Sequence, residues 1–157
     1  MSGVNYPGGE LELFAGATHW KRYLYTQFAP YLQGRVLEVG AGIGGSTSLL
    51  CDGSQQRWLC LEPDEKLFHQ LQASLPHECV ECRNGTLASL AQDELFDLIL
   101  YIDVLEHIEE DRQEMQRAAQ HLAADGRLLV LSPAHQSLFS EFDEAIGHYR
   151  RYSKEGL

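Results

Sequence analysis

Basic residues are scarce in this sequence of 157 amino acids. Lysine and arginine together number 12, against 23 aspartates and glutamates, and the formal net charge is −11 at pH 7. A nucleic-acid-binding surface needs clustered positive charge to hold the phosphates, so we expect no nucleic-acid partner. The sequence also contains no apolar run approaching the roughly 18 residues of a membrane span, and its start lacks the basic and apolar regions of a signal peptide. Together these absences predict a cytoplasmic protein without a membrane partner.

Paired metal-binding cysteine motifs are absent as well. Cys79 and Cys82 have C-x-x-C spacing, but a structural zinc site needs four ligands, and no second C-x-x-C or H-x-x-x-H motif occurs. We therefore interpret the cysteines as reduced thiols that serve as small apolar residues in a cytosolic protein. The four are Cys51, Cys60, Cys79 and Cys82.

Length and hydrophobic content predict one globular domain over residues 1–157, because 44% of the residues are hydrophobic. Residues 1–10 are predicted to form a flexible arm. A helix is predicted over 12–32, where apolar residues recur at threes and fours, with Pro30 ending it. The predicted strands are 35–39, 58–61, 79–83, 96–102 and 127–132, and the predicted later helices are 44–52, 64–74 and 109–124.

The most informative stretch is a run of glycines directly after the first predicted strand. Residues 35–39 read Arg-Val-Leu-Glu-Val, and the next six are Gly-Ala-Gly-Ile-Gly-Gly. Glycine lets the backbone bend sharply and lets a ligand approach where a Cβ would block it. A helix is predicted to follow, and its first N–H groups point back at the turn. A strand, a tight turn and a helix start in this order predict a loop that holds a nucleotide cofactor.

Two glycine patterns overlap in this loop. Gly40, Gly42 and Gly45 match the G-x-G-x-x-G of dinucleotide sites, whereas Gly40, Gly42 and Gly44 match the G-x-G-x-G of methyltransferases that use S-adenosylmethionine. Glu38, at the end of the predicted strand, favours the second pattern. A buried carboxylate needs a cation or a hydrogen-bond donor; it would repel a pyrophosphate, but S-adenosylmethionine carries an ammonium and a sulfonium. The alternative is that Glu38 only pairs with a neighbouring lysine, arginine or backbone N–H.

The sequence as a whole resembles the class I S-adenosylmethionine-dependent methyltransferases. The first motif of that family matches residues 36–44, and further blocks follow in the family's order at 61–64, 96–99, 104–108 and 128–133. The resemblance implies an α/β fold with a Rossmann-like doubly wound sheet. The family's sheet has the strand order 3-2-1-4-5-7-6; this chain is expected to have the order 3-2-1-4-5, with strands 6 and 7 missing. Strand 5 would then be an open edge, which predicts a homodimer through that edge or a C-terminal segment folded over it.

The resemblance also implies where the cofactor, S-adenosylmethionine, and its product, S-adenosylhomocysteine, are bound. Glu62 ends the second strand, where an acidic residue accepts hydrogen bonds from the ribose hydroxyls. The loop after the third strand meets the adenine, and Thr86 stands there in place of the family's usual acidic residue; its alternative role is to cap a helix. The predicted cofactor contacts are Glu38, Gly40, Ala41, Gly42, Gly44, Glu62, Pro63, Gly85, Thr86, Leu87 and Tyr101.

Polar residues gather after the fourth strand, where ligands of such sheets bind. Asp103, Glu106 and His107 share one face if their segment is helical, and His148 comes later. These groups could accept the proton of a substrate hydroxyl, bind a divalent metal, or serve only as structural caps. Ubiquinone-biosynthesis O-methyltransferases and small-RNA terminal 2′-O-methyltransferases have metal ligands at similar positions, but Asp103 replaces the usual glutamate and the net charge of −11 disfavours RNA. We predict that His107, His148 and Asp103 are catalytic and that no metal is bound.

The resulting functional prediction is an enzyme that transfers a methyl group from S-adenosylmethionine to a small-molecule acceptor, through oxygen rather than nitrogen. The alternative is a shortened domain that binds S-adenosylmethionine or S-adenosylhomocysteine without turnover. A nicotinamide-dependent dehydrogenase domain is a third hypothesis, which the position of Glu38 disfavours.

Overall fold

Five parallel strands form one sheet in the part of the chain that the computed structural model describes, residues 18–157. The strands are β1 (Arg35–Val39), β2 (Arg57–Glu62), β3 (Val80–Asn84), β4 (Phe96–Ile102) and β5 (Leu122–Leu131). Their order in the sheet is β3-β2-β1-β4-β5, which confirms the predicted α/β, Rossmann-like class. The order reverses between β1 and β4, and the carboxyl ends of these two strands are where such sheets bind ligands.

The helices connect the strands on both faces of the sheet. They are α1 (Thr18–Phe28), α2 (Gly45–Leu50), α3 (Glu65–Ala73), α4 (Asp111–Gln120) and α5 (Glu141–Ala145). The first helix ends at Phe28 rather than at the predicted residue 32, and Pro30 lies in the short 3₁₀ turn that follows it. The predicted arm over residues 1–10 and the predicted helix start at residue 12 lie outside the described residues. No helix in the described part has the length and apolar composition needed to cross a bilayer.

Alternation along the strands divides the core into two clusters, because successive strand residues point to opposite faces. On one face Val36, Trp58 and Cys60 pack with apolar residues of the helices, including Phe28 and Leu71. The other cluster is formed by Leu37, Val39, Leu59, Leu61, Leu87, Phe96, Ile99, Tyr101 and Ala118. Glu38 lies between Leu37 and Val39, so its side chain belongs to the face of Trp58.

The boundary between α4 and β5 corrects two predictions. The helix ends at Gln120 rather than at residue 124, and β5 begins at Leu122 rather than at residue 127. The reason is tertiary: the backbone N–H of Phe96 donates to the carbonyl oxygen of His121 at 2.8 Å, which draws the chain alongside β4. The register then shifts between Phe96 and Leu98. Residues 125–126, where the sequence indicates a turn, therefore lie within β5 as a local irregularity.

Candidate functional site

The turn after β1 needs glycine at three positions. Gly40, Gly42 and Gly44 have φ angles of 68°, 58° and 84°, a region that residues with a Cβ rarely adopt. A Cβ at Gly40 would also lie 2.7 Å from Cγ2 of Val104, so the turn packs directly against the segment that follows β4. At Gly45 a Cβ would meet nothing within 4 Å. The glycines that the backbone requires are therefore those of the G-x-G-x-G pattern.

Glu62 holds this turn at the end of β2. Its Oε2 accepts a hydrogen bond from the backbone N–H of Gly42 at 2.8 Å, and its Oε1 accepts one from the N–H of Asp64 at 2.8 Å. The side chain is buried, and burial raises the pKa of its carboxyl group. A carboxylate oxygen can accept more than one hydrogen bond, so both oxygens retain capacity for a diol. The structure thus brings Glu62 beside Gly42, and the N–H groups of Gly40 and Ala41 donate to the carbonyl oxygen of the neighbouring Leu61. Pro63 is half-buried next to Glu62.

Glu38 lies below the turn and is 2% exposed. Its Oε2 accepts hydrogen bonds from the Thr47 hydroxyl at 2.7 Å and from the Trp58 indole N–H at 2.9 Å. These donors differ from the lysine, arginine or backbone N–H of the alternative hypothesis. Burial raises the pKa of Glu38 to about 7, although both hydrogen bonds oppose that shift. The hydrogen bonds that Glu38 accepts from the described residues all end on Oε2, so Oε1 is the oxygen that could meet a cationic ligand group.

The loop after β3 is tied to the end of β2. The N–H of Gly85 donates to the carbonyl oxygen of Glu62 at 3.1 Å, and Nδ2 of Asn84 donates to the same oxygen at 2.9 Å. Thr86 is exposed and its hydroxyl makes no capping bond to the 3₁₀ turn Leu87–Ser89 that follows it. The capping role is therefore not observed, and Thr86 remains a candidate for contact with the adenine.

Two of the predicted cofactor contacts, Leu87 and Tyr101, have side chains that pack into the core. Leu87 is 2% exposed and its side chain belongs to the core beneath the sheet. Tyr101 is fully buried in the same cluster, and its hydroxyl donates to Oε1 of Glu114 on α4 at 3.0 Å. Strand alternation explains both the burial and the direction of the Tyr101 ring, because residue 101 shares its face with Val39 and Ile99. Neither side chain is available to a ligand at the turn.

Glu106 and His107 lie in the 3₁₀ turn Leu105–His107 that follows β4, and His148 lies close to both. One nitrogen or oxygen atom of each lies within 4.8 Å of the others. Glu106 is fully buried, and its Oε2 accepts a hydrogen bond from the Ser132 hydroxyl at 2.9 Å. Its Oε1 lies 3.9 Å from Nε2 of His148 and accepts no hydrogen bond within the described part of the chain. Burial raises the pKa of Glu106 to about 7, and the spacing of the group is also one that could hold a metal ion.

The remaining predicted catalytic residue, Asp103, is not part of this group of three. It is exposed, and its backbone N–H donates to the carbonyl oxygen of Leu131 at 2.8 Å. Its φ of 53° is unusual for a residue other than glycine. Such strained positions occur preferentially at functional sites, so Asp103 stays a candidate at the rim of the site.

His148 is held by residues that the sequence did not indicate as functional. Its Nδ1 lies 3.0 Å from Oδ1 of Asp143, which is itself fully buried. Nε and one terminal nitrogen of Arg151 donate to the two Asp143 oxygens at 2.8 and 2.9 Å, and this guanidinium lowers the pKa of the Asp143 carboxyl group. Ser140 and Asp143 form a capping box at the start of α5. The S-x-x-D spacing was the one sequence signal that pointed to Asp143, and it indicates only a helix start.

A glycine turn at the switch point and a carboxylate at the end of β2 are features of Rossmann-like domains with a nucleotide-type ligand site. The family assignment is more specific. The chain belongs to the methyltransferase domain family, whose model matches residues 37–128. This match confirms the predicted membership, and S-adenosylmethionine is the cofactor of that family.

Solved structures agree with this assignment in their fold. The YcgJ protein of Bacillus subtilis is 21% identical, with a TM-score of 0.68 over 88% of this chain and 64% of that chain. The N-methyltransferase NodS of Bradyrhizobium japonicum WM9, solved with S-adenosylhomocysteine, is 22% identical, with a TM-score of 0.59 over 69% and 60%. A candidate methyltransferase of Haloferax volcanii, in complex with the Trm112 methyltransferase activator, is 15% identical, with a TM-score of 0.69 over 97% and 73%.

No curated protein sequence matches the chain. The chain spans less than two thirds of the YcgJ structure, at 64% of its length.

Proposed function

We propose that this protein transfers a methyl group from S-adenosylmethionine to an oxygen of a small-molecule acceptor. The observation that carries the proposal is the gap of 3.9 Å between Nε2 of His148 and Oε1 of Glu106. The gap adjoins the segment after β4 that packs on the glycine turn, because Val104 of that segment is the contact of Gly40. Val104 therefore links the glycine turn to the segment that carries Glu106 and His107. Methyl transfer to a hydroxyl requires a base and the methyl donor to be held close together.

The cofactor would be held by the turn and by two carboxylates. Glu62 is fixed by its own bonds to the turn, so its remaining lone pairs suit the ribose hydroxyls. Oε1 of Glu38 suits the ammonium of the methionine part, since a buried carboxylate is stabilised by a cation. Thr86 and Gly85 lie at the end of β3, which suits the adenine. When bound, S-adenosylmethionine supplies a methyl group on a positively charged sulfur, which leaves with its electron pair as the neutral thioether.

The acceptor hydroxyl would lie beside the pair formed by His148 and Glu106. With its Nδ1 hydrogen directed to Asp143, His148 presents the Nε2 lone pair. The 3.9 Å between Nε2 and Oε1 of Glu106 is too short for an oxygen to lie between them, so the hydroxyl would donate its one hydrogen to Nε2 from the side. Nε2 would take the hydroxyl proton, and bound S-adenosylmethionine would supply the methyl group to the acceptor oxygen. His107 packs edge-on against His148, with ring centroids 4.6 Å apart, and Asp103 lies at the rim.

Binding and transfer assays test this proposal. Titration calorimetry should detect both S-adenosylmethionine and S-adenosylhomocysteine, and release of S-adenosylhomocysteine should require a phenol or alcohol acceptor. His148→Gln should lower kcat by about 10²- to 10⁴-fold, the usual contribution of a general base, with cofactor affinity unchanged. His69→Gln is the matched control, because His69 is an exposed histidine on α3.

Several outcomes would contradict the proposal. Tight NADH binding without S-adenosylmethionine binding would revive the dehydrogenase hypothesis. Cofactor binding with no release on any acceptor would indicate a binding module without turnover. Loss of activity on chelation, with recovery on adding a divalent cation, would assign Glu106, His107 and His148 to a metal site and contradict the metal-free base.

We further propose that the open edge of the sheet pairs with a second copy of the chain. Among the described residues β5 pairs only with β4. Leu128 on this strand is 38% exposed. An unpaired strand edge with exposed apolar residues is a common pairing surface, which supports the homodimer.

A further inference from the structure

We infer that Asp143 is a positioning residue for His148, which it fixes in the tautomer and orientation that a base at this site needs. The inference rests on the proposed function, in which Nε2 of His148 receives the acceptor proton. Asp143 was not a predicted site residue. Within the described part of the chain, its side-chain hydrogen bonds join it to Ser140, His148 and Arg151 rather than to the glycine turn or Glu106. It acts through the single hydrogen bond between its Oδ1 and Nδ1 of His148, at 3.0 Å.

The Asp143 carboxylate is itself held rigidly. Oδ2 accepts hydrogen bonds from a terminal nitrogen of Arg151 at 2.9 Å, from the backbone N–H of Ser140 at 2.9 Å and from the Ser140 hydroxyl at 3.0 Å. Oδ1 accepts one from Nε of Arg151 at 2.8 Å in addition to the contact with His148. Paired with a guanidinium and fully buried, the carboxylate is ionised and is an acceptor only. The hydrogen between Asp143 and His148 therefore belongs to the histidine.

This assignment decides which nitrogen of His148 is basic. A neutral imidazole carries one hydrogen, so placing it on Nδ1 leaves the lone pair on Nε2. Nε2 then faces Oε1 of Glu106 at 3.9 Å, which is too long for a hydrogen bond between them. The ring cannot turn freely, because the His107 ring packs edge-on at an interplanar angle of 79°.

The backbone keeps Asp143 and His148 together. The N–H of His148 donates to the carbonyl oxygen of Asp143 at 2.8 Å, and Gly147 between them has a φ of 84°. The N–H of Tyr149 donates to the carbonyl oxygen of Glu106 at 2.8 Å. One short loop thus fixes the histidine to its carboxylate on one side and to the Glu106 segment on the other.

A purely structural role for Asp143 makes a different prediction. The bonds from Ser140 and Arg151 cap α5 and close the loop without any participation of His148. If they were the whole role of Asp143, its replacement would lower stability and leave the tautomer of His148 as it was. The two roles are therefore separated by the tautomer rather than by stability.

Asp143→Asn in the full chain tests the inference. The asparagine oxygen should stay where three donors meet it, at the Oδ2 position, so its NH₂ group should face Nδ1 of His148. The ring must then accept at Nδ1 and carry its hydrogen on Nε2, which removes the basic lone pair. We expect ¹⁵N NMR of histidine-labelled protein at alkaline pH to report an Nδ1–H ring in the wild type and an Nε2–H ring in the variant. We expect kcat to fall about 10²- to 10⁴-fold, with KM and S-adenosylmethionine affinity within about threefold.

Ser140→Ala is the matched control, because it removes part of the cap but leaves the Asp143–His148 bond. It should lower Tm and keep the wild-type tautomer. A His148 ring that carries its hydrogen on Nε2 in the wild type overturns the inference, and this measurement requires no variant. An Asp143→Asn variant whose His148 keeps its hydrogen on Nδ1 also overturns it. So does an Asp143→Asn variant in which the tautomer changes but kcat does not fall. If the tautomers behave as expected but the wild type transfers no methyl group, the proposed function fails while the orientation by Asp143 stands.

Discussion

Three glutamates of the candidate site have buried carboxyl groups. Glu38, Glu62 and Glu106 are each at most 5% exposed, and burial raises the pKa of all three. Such groups are retained where a charge or a proton is needed, since a buried carboxylate without a function costs stability. Their different partners separate their roles: Glu62 bonds to backbone N–H groups of the turn, whereas Oε1 of Glu106 has no partner among the described residues.

Glu38→Gln should change how stability depends on pH. Burial raises the carboxyl pKa of Glu38 from 4.5, its ordinary value, to about 7 in the folded chain. The folded state therefore binds more protons than the unfolded state between these pH values. The contribution of Glu38 to the free energy of unfolding is therefore fully present below pH 4.5 and is lost as the pH rises through 7. Relative to the wild type, the variant should gain on the order of 3 kcal/mol across that window, measured by urea unfolding at several pH values.

A constant difference for Glu38→Gln would show that the burial of this carboxylate does not shift its titration. The same variant should bind S-adenosylmethionine about tenfold more weakly, equivalent to roughly 1.4 kcal/mol, because the amide no longer pairs with the ammonium. Unchanged affinity would remove Glu38 from the proposed cofactor site.

At the scale of elements, two connections create the site. The turn between β1 and α2 presents the cofactor surface, and the chain between β5 and the C-terminus supplies His148. That chain is anchored by a bridge between Ala134 and Tyr152. The Tyr152 hydroxyl also donates to Asp111 at 2.8 Å. The histidine is therefore positioned by tertiary contacts on both sides of α5 and not by a helix of its own.

Gly40→Ala should damage the turn. The backbone at this position is left-handed, which destabilises a residue that has a Cβ by about 1–2 kcal/mol. The Cβ would also lie 2.7 Å from Cγ2 of Val104. We expect a loss of at least 2 kcal/mol in unfolding free energy by these estimates and at least tenfold weaker S-adenosylmethionine binding, from urea unfolding and calorimetry. Gly45→Ala is the control: its Cβ meets nothing, so stability should stay level or rise by about 0.4–1 kcal/mol. Equal effects of both changes would contradict the assignment of the G-x-G-x-G pattern.

At the scale of the whole molecule, the sheet has one edge at β3 and another at β5 among the described strands. The β5 edge is the more apolar, with residues of intermediate exposure along most of its length. The net charge of −11 opposes association through charge repulsion, so a dimer would have to draw its stability from strand pairing and apolar burial.

Leu128→Lys should therefore shift the protein from dimer to monomer in sedimentation velocity, because a lysine on an edge strand opposes pairing between copies. Leu95→Lys is a matched control, since Leu95 and Leu128 are both 38% exposed but Leu95 precedes β4. A monomeric wild type, or dissociation by both substitutions, would contradict pairing through β5.

The features of the site that depend on neighbouring residues along the chain could be predicted from the sequence. The glycine turn and the acidic residue at the end of β2 each follow from a few consecutive residues. The strand order followed from the family resemblance. The boundary between α4 and β5 was predicted wrongly, because pairing with β4 overrides the turn signal at residues 125–126.

Only the tertiary structure decided which side chains meet. The sequence determined the glycine turn and the candidates around it, since backbone geometry is a local property. It could not determine that Tyr101 and Leu87 turn into the core, that Trp58 and Thr47 bond to Glu38, or that Asp143 orients His148 beside Glu106. Those contacts depend on strand register and on how the chain after β5 docks, and both are set by packing between segments far apart in sequence.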